Sequence, residues 1–545
     1  MLSLETTSSL SPYLWGALAV SVALLLDVLF RAPSNLHRPD AKIQSYRTLF
    51  AGLGPTALFE KRNTFLRSVF GHPEKFATSP PPSSAARFNA RNHVLTVSAN
   101  PEDRKTFFHD RSLDFEKGYE TLFAGIPDVP EWLKGVKDEE KQSRLGDAAV
   151  EETGMGSFNY NLKNALSTDR IDKSVATMVG YSLDAFRALP ASGGRIWCHD
   201  TIYSLIFRLS LVGVGLNEQH RDLDAMQRIE KPFWSFADNA GYLQTLFPLL
   251  FTPSTVRKWK GTIAMATNVS QLVEARRKSG SREDDYPQVL IDRGVPTKQI
   301  VEFVMGSLFA AIINTTGVTS YTLIFMAAYP ECQRQLRDEL ETVLRAEAEG
   351  RGDDYDALSV EERLARVPLA VWEDAERFPY QQAVERETMR LLLNSLLFRR
   401  KLDKRGVKPR TTTLSGDVVT HQEFVGYWLS SVHYNESIYS DPLLFDPDRW
   451  MRGEGRGDGD FLAWGWGNHP CLGMRFAKLE IKIALAAFLE SFPHVRAVND
   501  RGEEYDRTSV PKPVIDSEHR RLPQKPVFLA YDDNRLRAQP TPTAA

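Results

Sequence analysis

The sequence predicts a mainly α-helical protein with small β-sheets, because helical periodicity covers much of the chain and strand patterns are short. From about residue 201 onward, most segments repeat their apolar residues at helical spacing. The longest of them, Lys298 to Ala328, is apolar on almost every side, which is typical of a buried helix. Alternating strand patterns are confined to short segments such as His93–Ser98 and the region 421–450.

Composition narrows the class of protein further. The 545 residues are long enough for a large core, and 42% hydrophobic residues are typical of a globular chain. A formal net charge of −3 argues against a nucleic-acid partner, since such proteins usually carry excess basic charge. Cys198, Cys332 and Cys471 are widely spaced and odd in number, which favours a reducing compartment over a disulfide scaffold.

Residues 1–31 are predicted to form an N-terminal membrane anchor. Tyr13 to Phe30 is an apolar stretch interrupted only by Asp27, and its length is near the lower limit for crossing a bilayer. The basic residues that follow it, beginning with Arg31 and Arg38, place the rest of the chain in the cytosol by the positive-inside rule. A cleaved signal peptide and a buried helix are the alternatives, although the segment lacks the basic start that a signal peptide prefers.

The remaining elements are predicted from start and stop signals. Asn100 and Pro101 resemble an N-cap and first helical residue, followed by an acidic first turn. Arg351 to Leu369 reads as an exposed loop with a helical turn or two, and the chain is expected to be disordered from about residue 533. The other helices are expected over Thr201–Val214, Lys298–Ala328, Pro330 to about Glu349, Pro379–Leu397 and about Leu472–Phe492.

Several enzyme signatures are absent from the sequence. The chain contains no G-x-S-x-G elbow, no H-E-x-x-H zinc pair and no G-x-x-x-x-G-K-[ST] phosphate loop. No G-x-G-x-x-G follows a strand pattern, so a redox enzyme with this sequence is expected to lack a dinucleotide fold of its own.

The most informative segment is WGWGNHPCLGMRFAKLE, from Trp464 to Glu480. Cys471 lies in a glycine-rich loop directly before a predicted helix, where free N–H groups and the helix dipole stabilise a thiolate. A thiolate in such a loop is a strong axial ligand for haem iron. Gly465, Gly467 and Gly473 would let the backbone approach a flat macrocycle closely. A buried structural cysteine is the alternative reading.

Two further patterns carry polar groups in apolar surroundings. Glu387 and Arg390 share one helix face at i and i+3, and Arg449 offers a second cation for that pair. Asn314, Thr315 and Thr316 interrupt the long apolar helix. Such a polar triplet is suited to delivering protons to a bound ligand. Alternatively, the threonine hydroxyls bond back to the preceding turn of their own helix.

These motifs together resemble the cytochrome P450 family, and specifically its membrane-anchored eukaryotic members. The family's cysteine-loop pattern is matched by a set of seven residues: Trp464, Gly467, His469, Cys471, Gly473, Ala477 and Glu480. Trp464 stands where Phe is usual, and His469 where Arg is usual, a replacement similar to fungal members. E-x-x-R is matched by Glu387 and Arg390, and P-x-R-[FW] by Pro447, Arg449 and Trp450.

The resemblance implies a cytochrome P450 fold over residues 32–545, as one catalytic domain behind the anchor. It implies haem b held by Cys471 as the axial ligand of the iron, with Trp464, Gly467, His469 and Gly473 around it. Arg400 is expected to bind one haem propionate, in preference to Arg399. Lys163 is a candidate for the other.

The resemblance also implies the reaction. Thr315 would hydrogen-bond the bound oxygen and a water, and Asn314, in place of the usual acid, would orient that water. Electrons would come from NADPH through a separate cytochrome P450 reductase. One atom of O2 would enter a lipophilic molecule of the terpenoid, sterol or fatty-acyl class. The protein is then expected in the endoplasmic reticulum membrane, spanning it once with a cytosolic catalytic domain.

Two other functions remain open at this point. The first is a haem-thiolate isomerase or dehydratase that acts on a peroxide without reductase. It is kept open by two departures from the family pattern, Ile312 in place of a glycine and Asn314 in place of an acid. A membrane-tethered lipid-binding protein is the third hypothesis, and the intact Cys471 loop argues against it.

Substrate contacts are expected in 114–146 and 222–250, with Phe123, Ile126, Phe233, Phe236 and Leu246 as candidates. Arg475, Lys478 and Lys482 are candidates for a basic face that receives an acidic electron donor.

Overall fold

The structure is a computed structural model that describes residues 33, 36–38, 41–46, 54–79, 81, 83–90, 93–122, 155–239, 252–403, 411–516 and 522–538. The predicted anchor, residues 1–31, therefore lies outside the described residues. Within the described ranges, one helix, Thr297–Ala328, is long and apolar enough to cross a membrane, but most of it is buried inside the protein.

The helices account for most of the described chain. In chain order they are α1 Ala57–Glu60, α2 Arg62–Phe70, α3 Pro101–His109, α4 Phe115–Leu122, α5 Met155–Ala165, α6 Thr168–Arg187, α7 Cys198–Val214, α8 Asn217–Arg221, α9 Leu223–Ala237, α10 Pro253–Ser279, α11 Tyr286–Asp292, α12 Thr297–Ala328, α13 Pro330–Arg351, α14 Val360–Ala365, α15 Leu369–Glu373, α16 Pro379–Leu392, α17 Ser430–His433, α18 Asp448–Arg452, α19 Met474–Ser491 and α20 Arg535–Ala538.

The strands are short and form four small sheets. They are β1 Gln44–Ser45, β2 Ala85–Ala90, β3 His93–Ser98, β4 Leu113–Asp114, β5 Ser192–Trp197, β6 Leu396–Lys401, β7 Thr412–Leu414, β8 Asp417–Val419, β9 Phe424–Trp428, β10 Gly465–Trp466, β11 His469–Pro470, β12 Val495–Val498 and β13 Phe528–Asp533. The described strands pair in the orders β1-β2-β3-β9-β6-β4, β12-β13-β5, β7-β8 and β10-β11. The predicted fold class, mainly helical with small sheets, is confirmed.

The buried core is built around α12. This helix lies against α7, α10, α16 and α19, so apolar neighbours surround it on several sides. Its side chains from Thr315 to Ala328 are almost all buried, as its all-round apolar sequence predicts. The arrangement holds the polar residues of α12 and the start of α19 on one common scaffold.

Local signals explain where several elements begin and end. The Asn100 side chain accepts a hydrogen bond from the N–H of Glu102, and Pro101 opens α3, as predicted. α16 stops at Leu392, five residues before the predicted end. There the Asn394 amide donates to the carbonyl of Leu391, and the following residues pair with β9 as strand β6. Pairing with a neighbouring strand therefore overrides the apolar pattern that had predicted a longer helix.

The two ends of the described chain are held by specific contacts. Near the beginning, Arg38 binds Glu423 at 2.6 Å, and the carboxylate of Asp417 accepts the N–H groups of Lys42 and Ile43. Regular structure also continues past residue 533, where a tail was expected, into α20. Asn534 is buried and donates its amide to the carbonyl of Phe186.

Candidate functional site

Cys471 sits between a β-hairpin and a helix; the helix was predicted from the sequence, whereas the hairpin takes the place of the expected glycine-rich loop. The hairpin is formed by β10 and β11, and the N–H of Cys471 donates to the carbonyl of Trp464 at 2.7 Å. α19 begins at Met474, three residues later. Cys471 is exposed, whereas Cys198 and Cys332 are buried, so only Cys471 presents its thiol to a ligand.

Two opposing effects act on the Cys471 thiol. Desolvation by the surrounding protein raises its pKa, even though part of the residue is accessible, while hydrogen bonds from the N–H groups of Gly473 and Met474 lower it. The same two N–H groups would stabilise a thiolate. A bound metal cation deprotonates a coordinating thiol outright, so this arrangement suits a metal-bound thiolate.

The three glycines of the loop serve different purposes. Gly467 has φ of +60°, and a Cβ there would lie 2.8 Å from the carbonyl oxygen of Phe108, so the protein's own backbone requires this glycine. A Cβ on Gly465 would lie 2.2 Å from the carbonyl oxygen of His469. A Cβ on Gly473 would meet open space, so Gly473 alone borders room for a ligand.

The hairpin is attached to the end of α3. Asn468, at its tip, donates its side-chain amide to the carbonyl of His109 at 2.7 Å and its backbone N–H to the carbonyl of Phe108 at 3.0 Å. The ring of Trp466 packs edge-on against His109, with 4.6 Å between ring centroids. The Cys471 loop is therefore held from both sides, by α3 and by α19.

His433 is a supporting residue that the sequence analysis missed. It is fully buried, and its Nδ1 lies 2.8 Å from the carbonyl oxygen of Leu393 while its Nε2 accepts the N–H of Leu462 at 3.0 Å. Burial lowers the pKa of His433 to about 3, so the ring is neutral with its proton on Nδ1. His433 thus ties the end of α16 to the start of the Cys471 loop. A lone histidine with no motif around it gave no signal in the sequence.

The structure brings Glu387, Arg390 and Arg449 together, as their motifs predict. All three are fully buried. Arg390 donates two hydrogen bonds to the Glu387 carboxylate, at 2.9 and 2.7 Å, and Arg449 donates a third at 3.1 Å. The indole N–H of Trp450 and the backbone N–H of Asp446 also donate to Glu387.

The remaining donors of the two arginines are bound by backbone carbonyls and by the carboxylate of Glu454, which accepts from Arg449 at 2.8 Å. Arg390 donates to the carbonyls of His433 and Pro442, and Arg449 to that of Ser440. A buried ion pair is tolerated when its other hydrogen-bonding groups are satisfied in this way. The cluster fastens α16 to the segment 433–449 that leads into the Cys471 loop.

Three buried hydrogen-bond donors near the Cys471 loop are suited to a bound haem, which would bring its carboxylates and the face of its ring beside them. Within the described residues, Nε2 of His469, Nε1 of Trp464 and Nε of Arg399 are buried without a hydrogen-bond partner. Arg399 also acts on His469 electrostatically, so these two side chains are close. Buried donors without acceptors are costly, and an anionic group bound beside them would satisfy them. The residues present therefore fit the group that the sequence predicts.

The placement of the two arginines on β6 differs from the expectation. Neighbouring residues on a strand point to opposite faces, so only one of Arg399 and Arg400 can face His469. Arg399 does, and its guanidinium lies over Phe107 at 4.9 Å. Arg400 instead lies over Phe424 at 4.8 Å and donates to the carbonyl of Gln422. The geometry thus favours Arg399 for the role expected of Arg400.

His469 is neutral in this environment. Burial lowers its pKa to about 4, with the nearby charge of Arg399 acting in the same direction. A neutral imidazole still donates one N–H to a carboxylate. Binding of an anion beside it would raise this pKa again.

Thr315 and Asn314 are neighbours in the middle of α12, but they differ in solvent exposure. Thr315 is buried, and its hydroxyl donates to the carbonyl of Ala311 at 2.8 Å. Thr316 is also buried and donates to the carbonyl of Ile312. Asn314 is exposed, as is Ala310 one turn earlier, so an accessible stripe runs along this part of an otherwise buried helix.

The substrate candidates divide into three groups. Phe236 packs against Phe309 of α12, with 5.7 Å between ring centroids, and Phe309 directly precedes Ala310, where the accessible stripe begins. Phe233 is fully buried against Phe207 and is a core residue. Phe123, Ile126 and Leu246 lie outside the described residues.

The predicted basic face on α19 is only partly present. Lys482 is buried, with its ammonium donating to the carbonyl of Trp372 at 2.6 Å, so it cannot contact a partner protein. Arg475 is paired with Glu373, which neutralises its charge locally. Lys163, the candidate for a second propionate, has an exposed side chain on α5.

Comparison with known proteins identifies the same family. The family model for Cytochrome P450 matches residues 197–512, more than half of the chain. The chain is 26% identical over 409 residues to the cytochrome P450 monooxygenase AacuE of Aspergillus aculeatus, covering 73% of this chain and 77% of that protein. It is similarly 26% identical over 405 residues to the monooxygenase nsrP of Aspergillus novofumigatus, covering 73% of each chain.

A bacterial relative is more distant. The cyclooctat-9-en-7-ol 5-monooxygenase of Streptomyces melanosporofaciens is 24% identical over 304 residues, covering 53% of this chain and 59% of that protein. The matched region of the family model contains the Cys471 loop, the Glu387 cluster and the polar triplet of α12. The chain therefore belongs to the cytochrome P450 family and is a fungal-type monooxygenase with the fold of that family.

Proposed function

We propose that the protein holds haem b on Cys471 and inserts one oxygen atom from O2 into a lipophilic small molecule. The observation that carries this proposal is the Cys471 loop. Its thiol is accessible, two backbone N–H groups are directed at it, and the buried donors of Trp464, His469 and Arg399 lie around it without acceptors among the described residues. The bound haem supplies the activation of oxygen, and the protein supplies the ligand, the orientation and the proton path.

The chain's own residues divide the remaining tasks. Arg399 and His469 would bind the haem carboxylates, and the indole of Trp464 would lie beside the thiolate ligand. The hydroxyl of Thr315 donates a hydrogen bond to the carbonyl of Ala311, one turn earlier on α12. Rotation of the hydroxyl can redirect its proton toward a ligand. Asn314, which is exposed, can orient a water but does not ionise, so it cannot itself provide a proton.

A lipophilic substrate is supported by the apolar residues next to the accessible stripe of α12. Phe236 and Phe309 offer ring surfaces there, and apolar walls with few polar groups are typical of sites for small lipophilic ligands. The Streptomyces relative is named for an unsaturated alcohol, which fits the terpenoid, sterol or fatty-acyl range.

Electrons are proposed to come from NADPH through a separate cytochrome P450 reductase. The chain has no dinucleotide-binding motif of its own, so the reducing equivalents need an outside donor. The proposed location is the endoplasmic reticulum membrane, with residues 1–31 as a single span and the catalytic domain in the cytosol. Support for it comes from the apolar N-terminal segment and the basic residues that follow it.

The proposal is tested by the carbon monoxide difference spectrum of the reduced protein. The wild type should show the thiolate-ligated spectrum, and Cys471→Ala should lose it. Cys198→Ala and Cys332→Ala are matched controls that should keep it, because both cysteines are buried in the core. With reductase, NADPH should then be consumed in the presence of substrate. A thiolate spectrum in Cys471→Ala, or product formation without any reductant, would contradict the proposal.

A further inference from the structure

A second group of ionisable side chains is buried between α16 and α19. Glu385 is 3% exposed and lies two residues before Glu387, on another side of α16 from the Glu387 cluster. Lys482 of α19 is 9% exposed, and its ammonium lies 4.2 Å from the ring centroid of Phe378. We call Glu385, Lys482, Lys478 and Gln381 the Glu385 cluster.

The hydrogen bonds of the Glu385 cluster are incomplete when Glu385 is ionised. The side chain of Gln381, one turn earlier on α16, acts on the carboxyl of Glu385 and lowers its pKa. Among the described residues, however, Oε1 of Glu385 and Oε1 of Gln381 are both buried without any donor. Two buried acceptors and no donor are unfavourable, and one proton on Glu385 would supply the missing donor.

Other charged groups reach Glu385 from both sides. Lys478 and Lys482 face it from α19, and Arg386 adjoins it on α16; all three favour the ionised carboxylate. Desolvation by burial is larger and raises the pKa of Glu385 to about 7. Burial also lowers the pKa of Lys482 to about 8, against the influence of Glu385 and Glu339.

Glu339 and Asp374 act on the Glu385 cluster through Lys482. Glu339, from α13, accepts the backbone N–H of Tyr380 on Oε1 and that of Gln381 on Oε2, so both of its oxygens have donors, whereas Oε1 of Glu385 has none among the described residues. Glu385 is therefore the member of this group whose geometry is completed by gaining a proton.

Lys478 connects the Glu385 cluster to the Cys471 loop. Its ammonium lies 5.8 Å from the ring centroid of Trp464, whose carbonyl accepts the N–H of Cys471. Half-buried Lys478 is thus a charged group that both interacts with Glu385 and adjoins the loop of the proposed thiolate ligand, and it provides a route by which a change of charge on Glu385 would act there.

We propose that Glu385 couples proton uptake to the one-electron reduction of the haem held by Cys471, an inference that rests on the proposed function. An ionised Glu385 favours the oxidised, more positive site, and a neutral Glu385 favours the reduced one. By reciprocity, reduction favours the protonated carboxyl. One electron enters from the reductase or a chemical reductant, and the Glu385 carboxylate takes a proton from solvent to become a carboxylic acid.

The test is a potentiometric titration of the holoenzyme between about pH 6 and pH 8, the range in which a carboxyl with a pKa near neutrality changes charge. The wild-type reduction potential should fall as pH rises. In Glu385→Gln, a neutral replacement of similar shape, the potential should stay near the wild-type value at low pH and lose its dependence on pH. The infrared difference spectrum between reduced and oxidised protein should also lose a protonated carboxyl band.

Two further variants make the outcome decisive. Glu373→Gln removes a solvent-exposed carboxylate near α19 and should keep the wild-type dependence on pH. Lys482→Met removes a cation that favours the ionised carboxylate, so the midpoint of the pH dependence should move to higher pH. The inference is overturned if Glu385→Gln keeps the wild-type slope. If that variant binds no haem, an unchanged midpoint in Lys482→Met overturns it. Failure of the proposed function would look different, because the wild type itself would then lack a thiolate-ligated carbon monoxide spectrum.

Discussion

The hydroxyl of Thr315 has one proton, and in this structure that proton is used within α12. The bond to the carbonyl of Ala311 leaves the oxygen lone pairs of Thr315 available to accept from a water. To donate to a ligand, the hydroxyl must rotate away from its helical partner. Thr316 bonds back to the preceding turn in the same way but is completely buried, so the two threonines are not equivalent.

Thr315→Ala should therefore uncouple turnover, whereas Thr316→Ala should affect it less. General acid–base groups contribute about 10²–10⁴-fold to rates, so product should fall visibly while NADPH is still consumed and peroxide is released. Haem content should remain normal because the hydroxyl of Thr315 is bonded to Ala311 within α12. Asn314→Asp is the companion variant, and it should support or improve coupling if Asn314 orients a water. Unchanged coupling in Thr315→Ala, measured as product formed per NADPH, would contradict this role.

Arg399 and Arg400 give a second prediction at the residue scale. Arg399→Gln should lower haem retention, because it removes a buried cation beside His469 with an unpartnered Nε among the described residues. Arg400→Gln is the matched control on the same strand and should retain haem, since it faces Gln422 and Phe424 instead. The measurement is the haem-to-protein ratio after gel filtration. Equal loss of haem in both variants would remove the distinction.

The sequence was most informative where several residues act as one motif. Cys471, Glu387, Arg390 and Arg449 could be recognised together because their spacing is specific. The sequence could not distinguish Arg399 from Arg400, since the two are adjacent and only the pairing of β6 with β9 decides which faces inward. His433 and Glu385 could not be predicted because their importance comes from contacts between distant elements.

At the scale of elements, most predicted helix boundaries lie within three residues of the observed ones: α7 and α12 end at the predicted residue, whereas α7 begins three residues before its predicted start. α3, α12, α13 and α16 begin within one residue of the predicted position, since caps and prolines mark them. The end of α16 depends on a strand partner that lies far away in sequence. α6 and α10 were not predicted at all, because no distinctive motif drew attention to these amphipathic segments.

The Glu387 cluster gives a prediction for the link between α16 and α18. Glu387→Ala removes the carboxylate that Arg390 and Arg449 share; Arg449 still pairs with Glu454, but the buried Arg390 loses its paired carboxylate. Breaking a buried ion pair by removing one partner typically costs about 3–5 kcal/mol of unfolding free energy. The variant should unfold at a clearly lower denaturant concentration and retain little haem. Glu331→Gln breaks the exposed pair with Arg334 and should not shift the denaturation midpoint measurably. Equal midpoints for Glu387→Ala and the wild type would contradict the assigned role of the cluster.

At the scale of the whole molecule, the predicted topology can be tested through N-glycosylation. Asn268, Asn314 and Asn435 each begin an N-x-[ST] sequence. Asn314 lies on a long apolar helix, but the structure places it on an exposed stripe of that helix. A cytosolic catalytic domain should carry no glycan at any of the three, and glycosidase should leave its mass unchanged. A form exported to the lumen by an added signal peptide is the control that shows whether the sites can be modified. Glycan on the unaltered protein would contradict the cytosolic assignment.

Arg38 is bound to Glu423, and Lys42 and Ile43 to Asp417, just before the chain joins the six-stranded sheet as β1, and this attachment limits how far the sheet can lie from a bilayer. Arg38 lies seven residues after the predicted end of the anchor, residue 31. Fully extended, seven residues span about 25 Å. A folded domain of this length has a radius of gyration of about 24 Å, so it is wider than this connection is long. If residues 1–31 cross the bilayer, the connection therefore restricts rotation of the domain and keeps its β1 edge toward the lipid. A substrate dissolved in the membrane, or an electron donor bound to it, then reaches the domain by diffusion in the plane of the membrane. Both partners are already oriented relative to that plane when they meet.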